Sequence, residues 1–240
     1  MGLGICEDKV LNGFQAMKYH EMALEKAINL SPKDIAKSIS KELVNIYNNI
    51  ASEYQEKEDF DHALEYYEKC LDACNQASDI TMQAKCYFQI GTIYEKMDDL
   101  GEAVMNVNKY LEICKEEGQK TEAGEAHKKL AELHSKLGNA SAAIRNLESL
   151  LDIAFKAKNK DGQAEAALKL GLLNYKEGLI PTSVSYLNKH FEIAKQQKSN
   201  GKLVDAARVN LGIAQANTQR DKYLKLVMTD TNAVIEWKIN

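Results

Sequence analysis

The sequence predicts an all-α protein: a right-handed superhelix, or α-solenoid, of antiparallel helix pairs in about five 40-residue repeats with atypical ends. Three observations lead there. Only two prolines, Pro32 and Pro181, interrupt 240 residues, and proline is the residue that helix interiors exclude most strongly. Four blocks of sequence recur at a fixed step. Within those blocks, small residues recur in columns beside large apolar ones, as close helix packing demands.

The repeat starts clearly at NIASEYQEKEDFDHALEYYEKCLDAC, residues 49–74. It recurs at 89–114, 129–154 and 169–194, each copy 40 residues after the last. The first helix of each copy carries Ala51, Gly91, Ala131 or Gly171, and the second carries Ala63, Ala103, Ala143 or Ser183. Leu71, Leu111, Leu151 and Phe191 follow, then Cys74, Cys114, Ala154 and Ala194. Small residues let two backbones approach to about 8–10 Å, and the large ones fill the space beside the crossing. Polar connectors separate the helices at Glu58-Asp59, Asp98-Asp99, Gly138-Asn139 and Lys176-Glu177-Gly178, where turn and N-cap chemistry belongs.

The ends are partial copies. AMKYHEMALEKA, 16–27, matches the second helix of an earlier repeat, whose first helix is reduced to Leu3–Cys6. The chain is therefore expected to begin inside a repeat. VNLGIAQAN, 209–217, is a fifth first helix, one residue out of step. From Asp221 the period is lost, although Tyr223, Leu226, Val234 and Trp237 keep the segment apolar. The expected organisation is a repeat array over 1–220 and a capping segment over 221–240. That segment would pack on the last repeat and reach towards Leu172 and Tyr175, with Asp230 or Thr231 capping a second short helix.

Composition narrows the function. A formal net charge of −4 argues against a general nucleic-acid binder, which neutralises phosphates with a basic surface. No apolar run approaches the ~20 residues that span a bilayer. Met1-Gly2 opens as a myristoylation signal does, but Cys6 stands where Ser or Thr is wanted, so acylation is not expected. Five cysteines and no secretory pattern point to a reducing compartment. Cys70 and Cys74 lie one turn apart and can share a metal. No zinc-ligand pattern surrounds them, so the pair reads as small apolar core and no metal or other cofactor is expected.

Catalytic patterns are absent as well: there is no phosphate-binding loop, nucleophile elbow or zinc-protease helix. His127 and His134 share a helical face. They stand in the columns of Tyr47/Tyr87 and Tyr54/Tyr94, so they read as packing residues. The chain reads as a protein-binding one, not an enzyme, with no nucleic acid, membrane or small-molecule substrate as partner.

The small–large columns resemble those of the tetratricopeptide repeat, whose usual unit is 34 residues; here the spacing of the small residues is kept and the extra residues lengthen helices and links. The ALEYYEKCL ending, 63–71, is similar to repeats of kinesin light chain, the Pins family and ciliary tetratricopeptide proteins. ARVNLGIAQAN (207–217) with WKIN (237–240) resembles axonemal members. That resemblance implies a cytoskeletal location in a cilium or flagellum and partners among inner dynein arm components.

In a helical solenoid the first helices form the concave wall. One wall column reads Asn49, Gln89, Lys129, Lys169 and Asn210, with Asn45 a turn before it. Amides both donate and accept, which suits a peptide backbone, whereas lysines only donate and favour carbonyls or carboxylates. Lys129 and Lys169 are thus expected to touch the partner. The neighbouring columns run from Asn48 and Ser52 through Phe88 and Thr92, then Lys128 and Glu132, to Leu168, Leu172 and Tyr175, and end at Val209 and Ile213. The C-terminal half of the wall is therefore expected to be apolar, either as a contact surface or as a seat for the tail.

Overall fold

The structure is a computed structural model that describes residues 13–15, 17–26, 33–196 and 201–229. Residues 13–15 and 17–26 are helical and are called α1. There follow α2 (Lys33–Glu56), α3 (Phe60–Ala77), α4 (Ile80–Lys96), α5 (Leu100–Glu116) and α6 (Lys120–Lys136). Then come α7 (Ala140–Lys156), α8 (Lys160–Lys176), α9 (Ile180–Gln196) and α10 (Gly201–Thr229). Among the described residues every regular element is a helix, and within each compact unit consecutive helices pack antiparallel.

The punctuation of the chain is finer than the 40-residue period. Residues 58, 78, 98, 118, 138, 158 and 178 all take positive φ, one every 20 residues. Each ends a helix, and the amide after it reaches back to the last turn, as Asp59 N does to Tyr54 O at 3.0 Å and Asp79 N to Cys74 O at 2.9 Å. This left-handed stop satisfies carbonyls that a helix end leaves bare. Gly118, Gly138 and Gly178 adopt it freely, whereas Glu58, Ser78, Asp98 and Lys158 do so against the sterics of their Cβ atoms. The following residue starts the next helix. Asp59, Asp79, Asp99, Asn139 and Asn159 each accept, at 3.0–3.4 Å, the amide three residues on, which is N-cap geometry. Helices α4 to α9 are 17 residues each, so helix and turn together make one unit of the 20-residue rhythm.

Two compact units divide the chain, residues 1–126 and 127–240. In the first, α2 packs on α3, α3 on α4 and α4 on α5. Its core holds Leu43, Tyr47, Ala51, Ala63, Tyr67, Cys70, Cys74 and Ile93. In the second, α7 packs on α8, α8 on α9 and α9 on α10. Leu147 with Leu170, and Leu187 with Leu211 and Ala214, form its core clusters.

The small-residue columns sit at the closest crossings. Ala51, Ala63, Ala103, Ala131, Ala143 and Ser183 are all buried. A Cβ added to Gly91 would stand 2.7 Å from Val107 Cγ2, and one added to Gly171 would stand 2.6 Å from Leu187 Cγ. Ser183 Oγ donates to Gly171 O at 2.7 Å across the α8–α9 crossing. His127 is buried with Nδ1 2.9 Å from Asn146 Oδ1, and half-buried His134 has no hydrogen-bond partner on its buried Nδ1.

At the C-terminal end the helix outlasts the period. Asp221 lies inside α10, which continues unbroken to Thr229. The apparent break at 221 is therefore a change of pattern within one helix. Met1-Gly2, Leu3–Cys6, Pro32 and the tail positions Asp230, Thr231, Val234, Ile235 and Trp237 lie outside the described residues.

Candidate protein-binding walls

In the first unit the wall of α2 and α4 is neutral and polar. Asn45 and Asn49 are exposed, and Asn48, Ser52, Gln55, Gln89 and Thr92 are half-buried. Tyr67, rising from α3, donates its hydroxyl to Gln55 Oε1 at 2.9 Å, and Gln55 Nε2 donates to Gln89 Oε1 at 3.3 Å. Ser52 Oγ lies 3.3 Å from the same tyrosine hydroxyl and donates to Asn48 O at 2.8 Å. Burial, the larger effect, holds the Tyr67 hydroxyl above the ordinary phenol range and so protonated as a donor. These groups, with Lys96, line a shallow depression of 270 Å³. Phe88, expected on the open wall, turns against Tyr110 of α5, with ring centroids 5.0 Å apart. An aromatic ring at that position gains more from burial than from facing water.

The second unit begins its wall with charge. Lys128 Nζ pairs with Glu165 at 2.7 Å, and Lys169 Nζ pairs with Glu132 at 2.7 Å and with Glu165 at 3.3 Å. These bonds lace α6 to α8. Burial alone would raise the Glu165 carboxyl, but hydrogen bonds and charge from Lys128 and Lys169 outweigh it and leave it below the ordinary range. Lys169 is thus paired with two carboxylates of its own chain. The α6–α8 separation is what lets Lys169 reach Glu132, 37 residues away along the chain. Lys129 is half-buried in the column next to Lys128.

Beyond the charges the wall becomes apolar, but less of it is open than the columns imply. Leu168 and Tyr175 are half-buried against the cluster of Leu187, Leu211 and Ala214. The Tyr175 hydroxyl accepts from Asn217 Nδ2. α10 covers that side of α8, so these two residues are partly covered. Leu172, Val209 and Ile213 remain 46%, 58% and 51% exposed, while Asn210 is half-buried and Asn174 is buried with its amide on Leu170 O at 2.8 Å.

Two features lay outside the predicted wall. On the second helices α7 and α9 a cleft of 690 Å³ is lined by Leu151, Phe155, Gln163, Tyr186, Lys189 and Ile193, among others. Phe155 is 69% exposed; it stands in a column otherwise filled by Asn75, Lys115 and Lys195, and that anomaly was visible in the sequence. The other is Cys86 of α4, which joins Cys70 and Cys74 in one buried sulfur cluster.

The comparisons agree with this architecture. The sequence pattern described as tetratricopeptide repeat matches residues 42–116. No curated protein matches the chain. Solved structures do. BtubC (BKLC) from P. vanneervenii is 18% identical with a TM-score of 0.60, over 91% of this chain and 92% of that one. RapI is 14% identical with a TM-score of 0.62, over 93% and 67%. The nearly identical TPR-like repeats from Podosopora anserina are 19% identical with a TM-score of 0.60, over 77% and 92%. At such identities the likeness concerns the fold. These findings show an all-helical repeat fold like that of tetratricopeptide proteins, with the repeat pattern itself matched over residues 42–116. Such folds serve as protein-interaction scaffolds, and among the described residues no helix is long and apolar enough to cross a membrane.

Proposed function

We propose that this chain is a non-catalytic scaffold that holds another protein, as a structural or adaptor subunit of a large assembly. The observation that carries the reading is the row of exposed Leu172, Val209 and Ile213 on the first helices α8 and α10. Leu172 and Ile213 occupy one column and Val209 the column of Leu168, so the apolar surface follows the repeat. Apolar side chains aligned in this way on an otherwise charged surface suit a protein contact. The partner class is a protein that offers an apolar ridge, with no nucleic acid, membrane or small-molecule substrate involved.

The assembly we favour is the ciliary or flagellar axoneme, with partners in or near the inner dynein arm. Support comes from the resemblance of residues 207–217 to axonemal members of the family. This reading places the protein in the cytoskeleton.

A second reading is a soluble receptor for linear peptides, such as a cargo adaptor or chaperone cofactor. The Gln55–Gln89 amide pair favours it, because it presents donors and acceptors beside a shallow depression. Capture of a terminal carboxylate by converging cations is disfavoured, since Lys169 is already paired. Affinity purification from ciliated cells with mass spectrometry separates the two. Recovery of dynein-arm proteins supports the axonemal scaffold, and recovery of chaperones or kinesin supports the peptide receptor.

A further inference from the structure

Cys70 and Cys74 lie one turn apart on α3, and Cys86 reaches them from α4. Their sulfurs all lie within 4.8 Å of one another, and all three residues are buried. Cys86 Sγ donates to Cys70 Sγ at 3.3 Å, and Cys70 Sγ donates to Val44 O at 3.4 Å. Packing does not call for sulfur at two of these positions. The column of Cys70 holds Tyr110, Leu150 and His190 in the other repeats, and that of Cys86 holds Ala126 and Ala166. A large residue opposite a small one serves elsewhere, and here the volume is split between two thiols. We propose that Cys70, Cys74 and Cys86 form a three-sulfur site for a soft trivalent metalloid such as arsenic(III).

Geometry and charge select that class. Two sulfurs sharing one ion at about 2.3 Å each lie at most ~4.6 Å apart, so small rotamer changes close the cluster. Among the described residues no fourth His, Cys, Asp or Glu ligand joins the group. Asp79, a carboxylate whose charge reaches the thiols, accepts from Met82 N at 3.0 Å as the cap of α4. Zinc wants four ligands, and three thiolates around Zn(II) or Cu(I) leave net negative charge in an apolar core, which costs heavily without a counter-ion. Arsenous acid with three thiols gives a neutral As(SR)3 group and three waters: three S–H and three As–O bonds break, three As–S and three O–H bonds form, and nothing is oxidised or reduced.

The test uses the full chain, reduced with a phosphine so that no competing thiol is present. Arsenite is added to the folded protein and, separately, during refolding. Native mass spectrometry is expected to show one arsenic per chain, with three of the five thiols lost to titration. Cys86→Ala, which places in α4 the residue that α6 and α8 carry, should abolish the adduct at unchanged far-UV helicity. Cys114→Ala, matching Ala154 and Ala194, should retain it. Absence of the adduct under both conditions overturns the site. So does its persistence in Cys86→Ala, or its displacement by equimolar Zn(II), which would indicate a four-ligand centre.

Discussion

The first-helix wall of residues 1–126 and that of residues 127–240 are built on one scaffold and carry opposite chemistry. In the first, Asn49, Ser52, Gln55 and Gln89 form a neutral hydrogen-bonding surface tied to Tyr67. In the second, the same columns hold ion pairs and then Leu172, Val209 and Ile213. The crossings beneath them scarcely differ: Gly91 against Val107 in one, Gly171 against Leu187 in the other. The inward columns are thus fixed by backbone approach, whereas the outward columns are free to vary repeat by repeat. Mutations at crossings should therefore act alike in both units, and mutations on the walls should not.

The largest expected effect is at a crossing. Ala103→Glu puts a charge where Ala103 is fully buried. The cost should be on the order of 3–5 kcal/mol, read as a collapse of the denaturation midpoint. An unshifted midpoint would mean that residue 103 is not at a crossing at all. Next come Gly91→Ala and Gly171→Ala. Alanine in a helix gains about 0.5–1 kcal/mol over glycine, but overpacking costs about 1–3 kcal/mol. The added carbon would lie under 3 Å from Val107 or Leu187, so overpacking wins. Both variants should be destabilised by similar amounts, and a marked inequality between them would break the idea of a shared scaffold.

Wall substitutions should separate the units. Lys169→Glu sets a like charge beside Glu132 and Glu165 and should cost about 1 kcal/mol or less, more at low salt. The same network should fade with acid. A carboxyl held below its free value contributes stability in full above that value, near 4.5 for Glu165, and loses it as pH falls through the lowered one. Melting temperature against pH, compared between the native chain and Glu165→Gln, measures this; identical profiles would contradict it. Smallest are Glu58→Gly and Lys158→Gly. Each relieves a positive φ worth roughly 1–2 kcal/mol in a residue with a Cβ, offset in part by glycine's unfolded-state entropy. Both should raise the melting temperature slightly, one in each unit.

Much of the scaffold was legible because close packing leaves little choice of residue at Ala51, Gly91, Ala131 and Gly171. The 20-residue rhythm was legible only in part. Asp59, Asp79, Asp99, Asn139 and Asn159 announce it, but four of the left-handed stops are Glu58, Ser78, Asp98 and Lys158, which send no glycine signal. The walls were legible as columns and not as contacts. Whether Lys169 meets water or Glu132 depends on how far α6 and α8 stand apart, which no single column encodes. Cys86 stayed hidden for a similar reason, since its alanine-rich column looks like plain packing. The exposed Phe155 interrupts a polar column and could have been found.

In the proposed function a protein partner sits on the first-helix wall of the second unit. A photo-crosslinking amino acid placed singly at Leu172, Ile213 or Phe155 tests it most directly, since those sites report the wall and the α7–α9 cleft separately. Irradiation in extract from ciliated cells, followed by mass spectrometry of the adducts, should link Leu172 and Ile213 to the same dynein-arm protein and leave Phe155 unlinked. Adducts formed from Phe155 alone would place the partner on the second helices and contradict the claim.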